Sequence, residues 1–155
     1  LAFATDYNFA GLHNSAIHTG FSHQSNGQSG SLSRSWNRLY TEFLFEKEDV
    51  YLSFKPWFRI PESSHSDDNP DIDHYMGHFE LRGIYKKQAH TFDFMLRNNL
   101  KTGSNRGALE LGWSFPIHRK VRGYVQWFNG YGESLLDYDN HTNSLGFGIQ
   151  LSDWL

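Results

Sequence analysis

The alternation of apolar and polar side chains is the feature that most limits what this chain can fold into. From residue 75 to residue 85 the odd positions are aromatic, aliphatic or glycine, and most even positions are polar. The same pattern recurs over residues 52–60, 92–96, 109–117 and 145–151. A period of two residues is typical of a β-strand with one apolar face and one polar face. No segment shows a convincing helical period, so the sequence predicts an all-β chain.

The composition narrows the choice among all-β classes. Aromatic residues make up 17% of the 155 residues, yet the mean hydropathy is only −0.62, which is unusual for a water-soluble core. No apolar run approaches the ~20 residues that a transmembrane helix requires. Strands of a transmembrane barrel are apolar on one face only, so they score as hydrophilic. We therefore predict an antiparallel transmembrane β-barrel. A soluble β-barrel or sandwich shows the same alternation and is the alternative.

Charge and cysteine content exclude several kinds of partner and site. The chain has 14 Lys and Arg against 17 Asp and Glu, for a net charge of −3, which argues against a nucleic-acid partner. It contains no Cys, which excludes disulfides, a Cys-type zinc site and a thiol nucleophile. It begins at Leu1 rather than Met and shows no signal peptide, so we expect a processed or truncated chain.

The polar segments between the alternating runs predict how the strands are connected. Short turn signals lie at residues 47–49, 86–88 and 119–120, and longer polar stretches lie around residues 63–73 and 137–143. Tight turns at one end and long loops at the other are expected of an outer-membrane-type barrel. We expect roughly eight strands of about ten residues, forming one domain over residues 1–155. The five tryptophans are candidates for interfacial girdles: Trp36, Trp57, Trp113, Trp127 and Trp154.

Three polar residues fall on the apolar face of two neighbouring predicted strands. His23 and Ser25 follow Ile17, Thr19 and Phe21 in the alternation, and Asn37 precedes Leu39 and Thr41 on the next strand. Side chains at i and i+2 on one strand face are roughly 6–7 Å apart, so an imidazole can reach a hydroxyl. An Asn on the paired strand can hold the other ring nitrogen and fix the tautomer. The pattern is that of a nucleophile, a base and an orienting residue.

The same three residues have a simpler interpretation. Most His-x-Ser pairs on an alternating strand are rim residues without chemistry, and the apolar-face placement is what favours catalysis here.

A neutral Asn stabilises an imidazolium less than Asp does, so a further source of positive charge is expected, and a metal ion is the usual one.

Two motifs in this region carry a resemblance to a known family. The segments are His23-Gln24-Ser25-Asn26-Gly27 and Ser33-Arg34-Ser35-Trp36-Asn37-Arg38-Leu39-Tyr40. Further matching segments are Lys55-Pro56-Trp57, residues 67–71 and residues 130–135, so the likeness covers nearly the whole chain. Together these segments resemble the outer-membrane phospholipase A family of Gram-negative bacteria.

The resemblance implies an activity and a set of site residues. It implies a calcium-dependent phospholipase A1/A2 of the outer membrane, which hydrolyses acyl esters of glycerophospholipids and lysophospholipids and is activated by homodimerisation. By position, Ser25 is then the nucleophile, His23 the general base and Asn37 the residue that orients His23. The Gly27 amide, with calcium-bound water, stabilises the oxyanion. The implied Ca²⁺ ligands are the Gln28 carbonyl, the Ser33 hydroxyl and Asp68, and the lipid-contact surface is Phe21, Leu39 and Phe43.

The sequence departs from the family pattern in two respects. The family barrel is similar to a twelve-stranded cylinder, so this chain is expected to supply roughly its C-terminal eight strands and to be part of a longer protein. Gly30 and Ser31 carry no charge in the loop after the nucleophile, which predicts weaker calcium binding there.

Other interpretations stay open on the sequence alone. Four aspartates between residues 67 and 73 are hard-cation donors, although acidic loops are more often simply solvated. Ser134, Asp137 and His141 have the residue types of a triad but lie in a predicted loop. The main rival is a non-enzymatic outer-membrane barrel, either a pore or a structural protein, with a silent site. A soluble lipid-binding barrel is a third possibility.

Overall fold

The computed structural model describes residues 1–65, 67–118 and 121–151 as a β-sheet with very little helix. One 3₁₀ turn (Gly30–Leu32) and one short helix, α1 (Ile72–Met76), lie in loops. The strands are β1 (Ala2–Phe9), β2 (Leu12–Ser25), β3 (Ser35–Lys47), β4 (Val50–Ile60), β5 (Phe79–Lys87), β6 (His90–Asn98), β7 (Gly107–His118), β8 (Val121–Tyr131) and β9 (His141–Gln150).

The described strands form one sheet in which each strand pairs antiparallel with the next one along the chain. The sheet is a partial β-barrel, which confirms the predicted all-β, antiparallel class. It has nine strands rather than roughly eight. Strand β1 is short, and its polar positions Thr5 and Asp6 weaken the alternation. Its register with β2 also shifts between Ala4 and Tyr7, so period-two counting gives a weak signal there.

The connections confirm the predicted alternation of short and long segments. The turns after β1, β3 and β5 are two residues long, and Ala10, Glu48 and Gln88 take positive φ values of 51°, 51° and 55° in them. The turn predicted at residues 119–120 lies outside the described residues. The long connections are residues 26–34, 61–78, 99–106 and 132–140. In an up-and-down sheet these four loops share one end, which is therefore the end that can build a site.

The predicted strand over residues 75–85 is wrong in its first part. Residues Ile72–Met76 form helix α1, which ends at Gly77 with a φ of 78°, and β5 begins at Phe79. Ile72 and Met76 are four residues apart, lie on one side of the helix and are buried. The described part of the chain has no helical segment with the length and hydropathy that a bilayer crossing requires.

The two faces of the sheet differ as the alternation predicts. One face exposes large apolar side chains, including Phe21, Leu39, Phe58, Phe147 and Ile149. The opposite face is polar and internally bonded. On it, for example, Ser53 donates to Glu42 at 2.6 Å and Tyr124 donates to Asp93 at 3.2 Å. In a membrane barrel the apolar face is the one that contacts lipid.

A small apolar cluster fills the space beneath the long loops. Trp36, Trp57, Ile72, Met76 and Tyr138 are all less than 9% exposed, and the two indoles meet edge to face at 6.0 Å. Placing Trp36 and Trp57 in an interfacial girdle was therefore wrong, because both point to the polar side and pack under the loops. The girdle assignment of Trp113 and Trp127 stays a prediction, and Trp154 lies outside the described residues.

Candidate active site

The pairing of β2 with β3 brings two of the three predicted catalytic residues together. His23 lies directly opposite Asn37, and the His23 Nδ1 to Asn37 Oδ1 distance is 2.8 Å. Both side chains lie on the exposed apolar face of the sheet. Their neighbours on that face, Phe21 and Leu39, are 59% and 53% exposed. The contact therefore joins a histidine and an amide on the side of the sheet that contacts lipid.

The chemistry of that contact fixes the tautomer of the imidazole. An amide oxygen only accepts hydrogen bonds, so with the Asn37 amide in this orientation Nδ1 of His23 carries the proton and donates a hydrogen bond to Oδ1. The other ring nitrogen, Nε2, then has a free lone pair. That is the arrangement a general base needs when it takes a proton from a hydroxyl.

Ser25 occupies the same strand face two residues beyond His23, and it is exposed. It lies opposite Ser35 of β3. Among the described residues, no hydrogen bond joins the Ser25 hydroxyl to the His23 ring. The structure thus unites His23 with Asn37 and places Ser25 nearby without closing the third contact.

A fourth residue of the site was missed by sequence reasoning. Asn37 Nδ2 donates to Glu62 Oε1 at 2.9 Å, and Glu62 is half-buried just beyond the end of β4. The register could have indicated it, because Asn37 lies opposite Ile60 and Glu62 is two residues further along the same face. That inference requires the β3–β4 register, which the alternation alone does not give.

The loop that follows Ser25 is organised by Asn26. Its side-chain oxygen accepts from the Gln28 and Arg34 amides at 3.2 and 3.1 Å, and its Nδ2 donates to the Leu32 carbonyl at 2.7 Å. Gly27, the predicted oxyanion residue, has a φ of 68°. Its N–H donates to no other described residue, so it is available to an incoming oxyanion next to Ser25.

Two of the predicted Ca²⁺ ligands meet across two loops. The Ser33 hydroxyl lies 2.5 Å from Asp68 Oδ2, which ties the loop after β2 to the loop after β4. Gln28, the third predicted ligand, lies in the first of these loops, and its amide bonds Asn26. In the described part of the chain, no group of three or more His, Asp or Glu side chains is placed to hold a metal ion. A cation here therefore depends on hydroxyl and carbonyl oxygens beside one carboxylate.

Two further aspartates of the second loop have structural partners. Arg59 Nη2 contacts both carboxylate oxygens of Asp67 at 2.7 and 2.8 Å, and the pair is largely buried. Tyr138 donates its hydroxyl to Asp71 at 2.5 Å. Burial, together with this hydrogen bond and the nearby carboxylates, raises the pKa of Tyr138 well above its usual value. Asp67 and Asp71 thus hold the loop in place, and Asp68 is the aspartate left facing Ser33.

The second group of triad-type residues does not assemble. Ser134 Oγ donates to Asp137 Oδ2 at 3.3 Å and accepts from the Asp137 amide at 3.1 Å, which is a local turn. His141 instead packs edge to face against Tyr131, with ring centroids 5.3 Å apart. These contacts indicate a loop anchor rather than a nucleophile with its base.

Comparison with protein families assigns nearly all of the chain. The family model described as "Phospholipase A1" matches residues 1–151. The phospholipase A1 of Escherichia coli strain K12 is 42% identical over 153 residues, covering 99% of this chain and 51% of that protein. The chain therefore spans about half the length of the curated relatives it matches.

Solved structures agree in fold as well as in sequence. An active-site mutant of outer membrane phospholipase A from Escherichia coli, in which alanine replaces an asparagine, superposes with a TM-score of 0.87 at 39% identity. The Salmonella typhi outer membrane phospholipase, a dimer with bound calcium, gives 0.86 at 41% identity. Each match covers 98% of this chain and 57% of the other. These likenesses and the sheet establish an outer-membrane protein, and the chain belongs to the phospholipase A1 family.

Proposed function

We propose that the full-length protein is a calcium-dependent phospholipase A1/A2 of the bacterial outer membrane, which hydrolyses acyl esters of glycerophospholipids and lysophospholipids. The observation that carries this proposal is the 2.8 Å contact between His23 and Asn37 on the lipid-facing side of β2 and β3, two residues from Ser25. Membership of the phospholipase A1 family supplies the reaction class.

In the proposed mechanism Ser25 is the nucleophile and His23 is its general base. Nε2 of His23 takes the hydroxyl proton as Ser25 Oγ attacks the ester carbonyl, and the resulting oxyanion is placed to accept from the Gly27 amide. The proton passes to the departing glycerol oxygen, which leaves an acyl-enzyme. His23 then takes a proton from a water whose oxygen attacks the acyl carbonyl, and it returns that proton to Ser25 Oγ as the fatty acid leaves. Contacts of this kind often tighten only once substrate binds, so the lack of a Ser25–His23 hydrogen bond among the described residues is compatible with these steps.

Asn37 has an orienting part in this scheme. Its amide oxygen holds Nδ1–H of His23 and leaves Nε2 as the ring nitrogen that takes the proton of Ser25. It also stabilises the imidazolium, although less than a carboxylate would. One of the matching Escherichia coli structures is an active-site mutant in which alanine replaces an asparagine. This supports an orienting role for an asparagine in the site.

The residues present fit a calcium ion at the junction of the two loops. Ser33 Oγ and Asp68 are in contact and exposed or half-buried, and both are oxygen donors of the type that Ca²⁺ prefers. With the Gln28 carbonyl they would hold the ion from one protomer. When bound, the ion supplies positive charge close to the oxyanion site. Three oxygen donors are fewer than Ca²⁺ usually takes, so further donors are needed. A site shared between two copies of the protein would supply them.

The same geometry supports a proposal that the protein acts as a homodimer. His23 and Ser25 are exposed on the outside of the sheet, so one barrel alone does not enclose an acyl chain beside them. Phe21 and Leu39 supply one apolar wall, together with the half-buried Phe43. We propose that a second copy supplies the facing wall and the missing calcium donors, as the Salmonella typhi dimer with bound calcium suggests.

The test is release of fatty acid from mixed phospholipid micelles by the full-length, detergent-refolded protein. We expect activity with calcium, loss with EDTA, and loss in Ser25→Ala. Ser22→Ala is the matched control, because Ser22 is on the same strand but on the opposite face. A folded wild type that releases no fatty acid at dimer-forming concentration would favour the non-enzymatic barrel with a silent site.

A further inference from the structure

The hydrogen bond from Asn37 to Glu62 adds a fourth residue to the proposed site, beside the nucleophile, the base and the orienting residue. Asn37 uses both ends of its amide, because Oδ1 contacts His23 Nδ1 at 2.8 Å and Nδ2 donates to Glu62 Oε1 at 2.9 Å. In the described part of the chain, the Glu62 carboxylate has no other hydrogen-bond or ion-pair partner. Its side chain is half-buried.

The orientation of this amide decides whether His23 can act as a base. The two ends of an Asn amide are nearly equal in size, so rotation by about 180° exchanges oxygen and nitrogen at little steric cost. The rotated amide would present an N–H to the His23 ring, and Nδ1 would then have to accept. The proton would move to Nε2, and the ring could no longer take a proton from Ser25.

A carboxylate next to the amide removes that ambiguity. An ionised carboxylate only accepts hydrogen bonds, so it pairs with the Nδ2 end of Asn37 and repels the Oδ1 end. The register places Glu62 where this is possible, two residues beyond the Ile60 that lies opposite Asn37. The contacts therefore run from the Glu62 carboxylate through the Asn37 amide to the His23 imidazole, and Ser25 lies two residues beyond His23 on the same strand face.

We propose that Glu62 is a positioning residue for this site, which sets the amide of Asn37 and through it the tautomer of His23. The inference rests on the proposed function for its catalytic meaning, but the tautomer can be measured in the absence of any substrate. It also explains how a site with a neutral Asn obtains negative charge behind the imidazole without a carboxylate in direct contact with the ring.

The first test is ¹⁵N NMR of the histidine ring in the full-length protein in detergent, with the His23 signal assigned by its loss in His23→Gln. Wild type should carry the proton on Nδ1. Glu62→Ala should show a mixture of both tautomers, and Glu62→Gln should lie between them, because it keeps an oxygen acceptor whose own amide can rotate. A His23 signal unchanged in Glu62→Ala would overturn the proposal.

The second test is kinetic and separates positioning from general support of the loop. Glu62→Ala should lower kcat about 3- to 10-fold, the effect of one modest hydrogen bond, with KM unchanged. Added to Asn37→Ala, it should cause no further loss, because the amide that it orients is gone. Equal losses in both backgrounds would contradict the proposal.

Two controls keep the outcomes distinct. Glu133→Ala removes a carboxylate from another long loop at the same end of the sheet, and it should leave kcat and the His23 tautomer unchanged. If wild type and Ser25→Ala were equally inactive, the proposed function would fail. The tautomer measurement would still decide the role of Glu62.

Discussion

Replacing Asn37 with alanine is the perturbation whose size the structure lets us work out most closely. It removes the 2.8 Å contact with Nδ1 of His23, and it leaves the half-buried carboxylate of Glu62 without its 2.9 Å donor. A neutral hydrogen bond is worth about 0.5–1.5 kcal/mol, and one to an ionised group about 1.5–3. In the proposed mechanism His23 becomes an imidazolium in the transition state, so the second range applies to kcat. Each 1.36 kcal/mol is about tenfold, which gives a loss of about 10- to 160-fold.

The assay is continuous fatty-acid release at saturating calcium and saturating phospholipid, compared with the full-length wild type. The variant should keep measurable activity, because Ser25 and His23 remain on one strand face. Ser22→Ala should match wild type. An Asn37→Ala variant with full kcat would refute the orienting part assigned to the amide. So would a loss as complete as that of Ser25→Ala.

Three further changes test separate parts of the structure. Asp68→Asn should raise the calcium concentration for half-maximal activity about tenfold or more, because it removes the carboxylate that faces Ser33. The control is Asp139→Asn, which changes an exposed aspartate at the same end of the sheet and should leave that calcium concentration unchanged. Trp36→Ala should lower the free energy of unfolding in detergent by about 3–5 kcal/mol, because its indole is fully buried; an effect no larger than that of the 41% exposed Trp113→Ala would contradict this. The pKa of Tyr138 is raised from 10.0 by burial and hydrogen bonding, so its contribution to stability is complete below pH 10 and is lost as pH rises through the higher folded value. Near-ultraviolet circular dichroism should show this alkaline transition in wild type and not in Tyr138→Phe.

The parts of the fold that the sequence predicts are those that depend on the alternation of side chains between the two faces of a strand. Every second side chain of a strand lies on the same face. Phe21, His23 and Ser25 share a face because they are two residues apart on β2. The face opposite to it is polar for the same reason. A single pairing of β2 with β3 then brings His23 to Asn37, which both the pattern and the motif likeness indicate.

The parts that the sequence does not predict depend on contacts between distant loops. Tyr75 and Gly77 continue the alternation of β5 by coincidence, and the burial of Ile72 and Met76 under Trp36 is what makes that segment helical instead. Because this cluster draws on four separate segments of the chain, no local sequence pattern indicates it.

The contacts that distinguish the aspartates are also non-local. Asp67 and Asp68 are neighbours in sequence, yet one pairs with Arg59 and the other meets Ser33. Their roles follow from how the loop after β4 lies against β4 and against the loop after β2, and composition carries no information about that. Glu62 was missed for the same reason, since only the β3–β4 register places it beside Asn37.

The most direct test of the central claim is covalent labelling of the full-length protein with an acyl-chain fluorophosphonate, followed by peptide mass spectrometry. The probe reacts only with a serine activated by a neighbouring base. We predict one modified peptide, which contains Ser25, with labelling that is lost in Ser25→Ala, slowed in Asn37→Ala and unchanged in Ser22→Ala. Labelling at another serine, or none in a correctly folded protein with calcium, would contradict the assignment of Ser25, His23 and Asn37 as an active site.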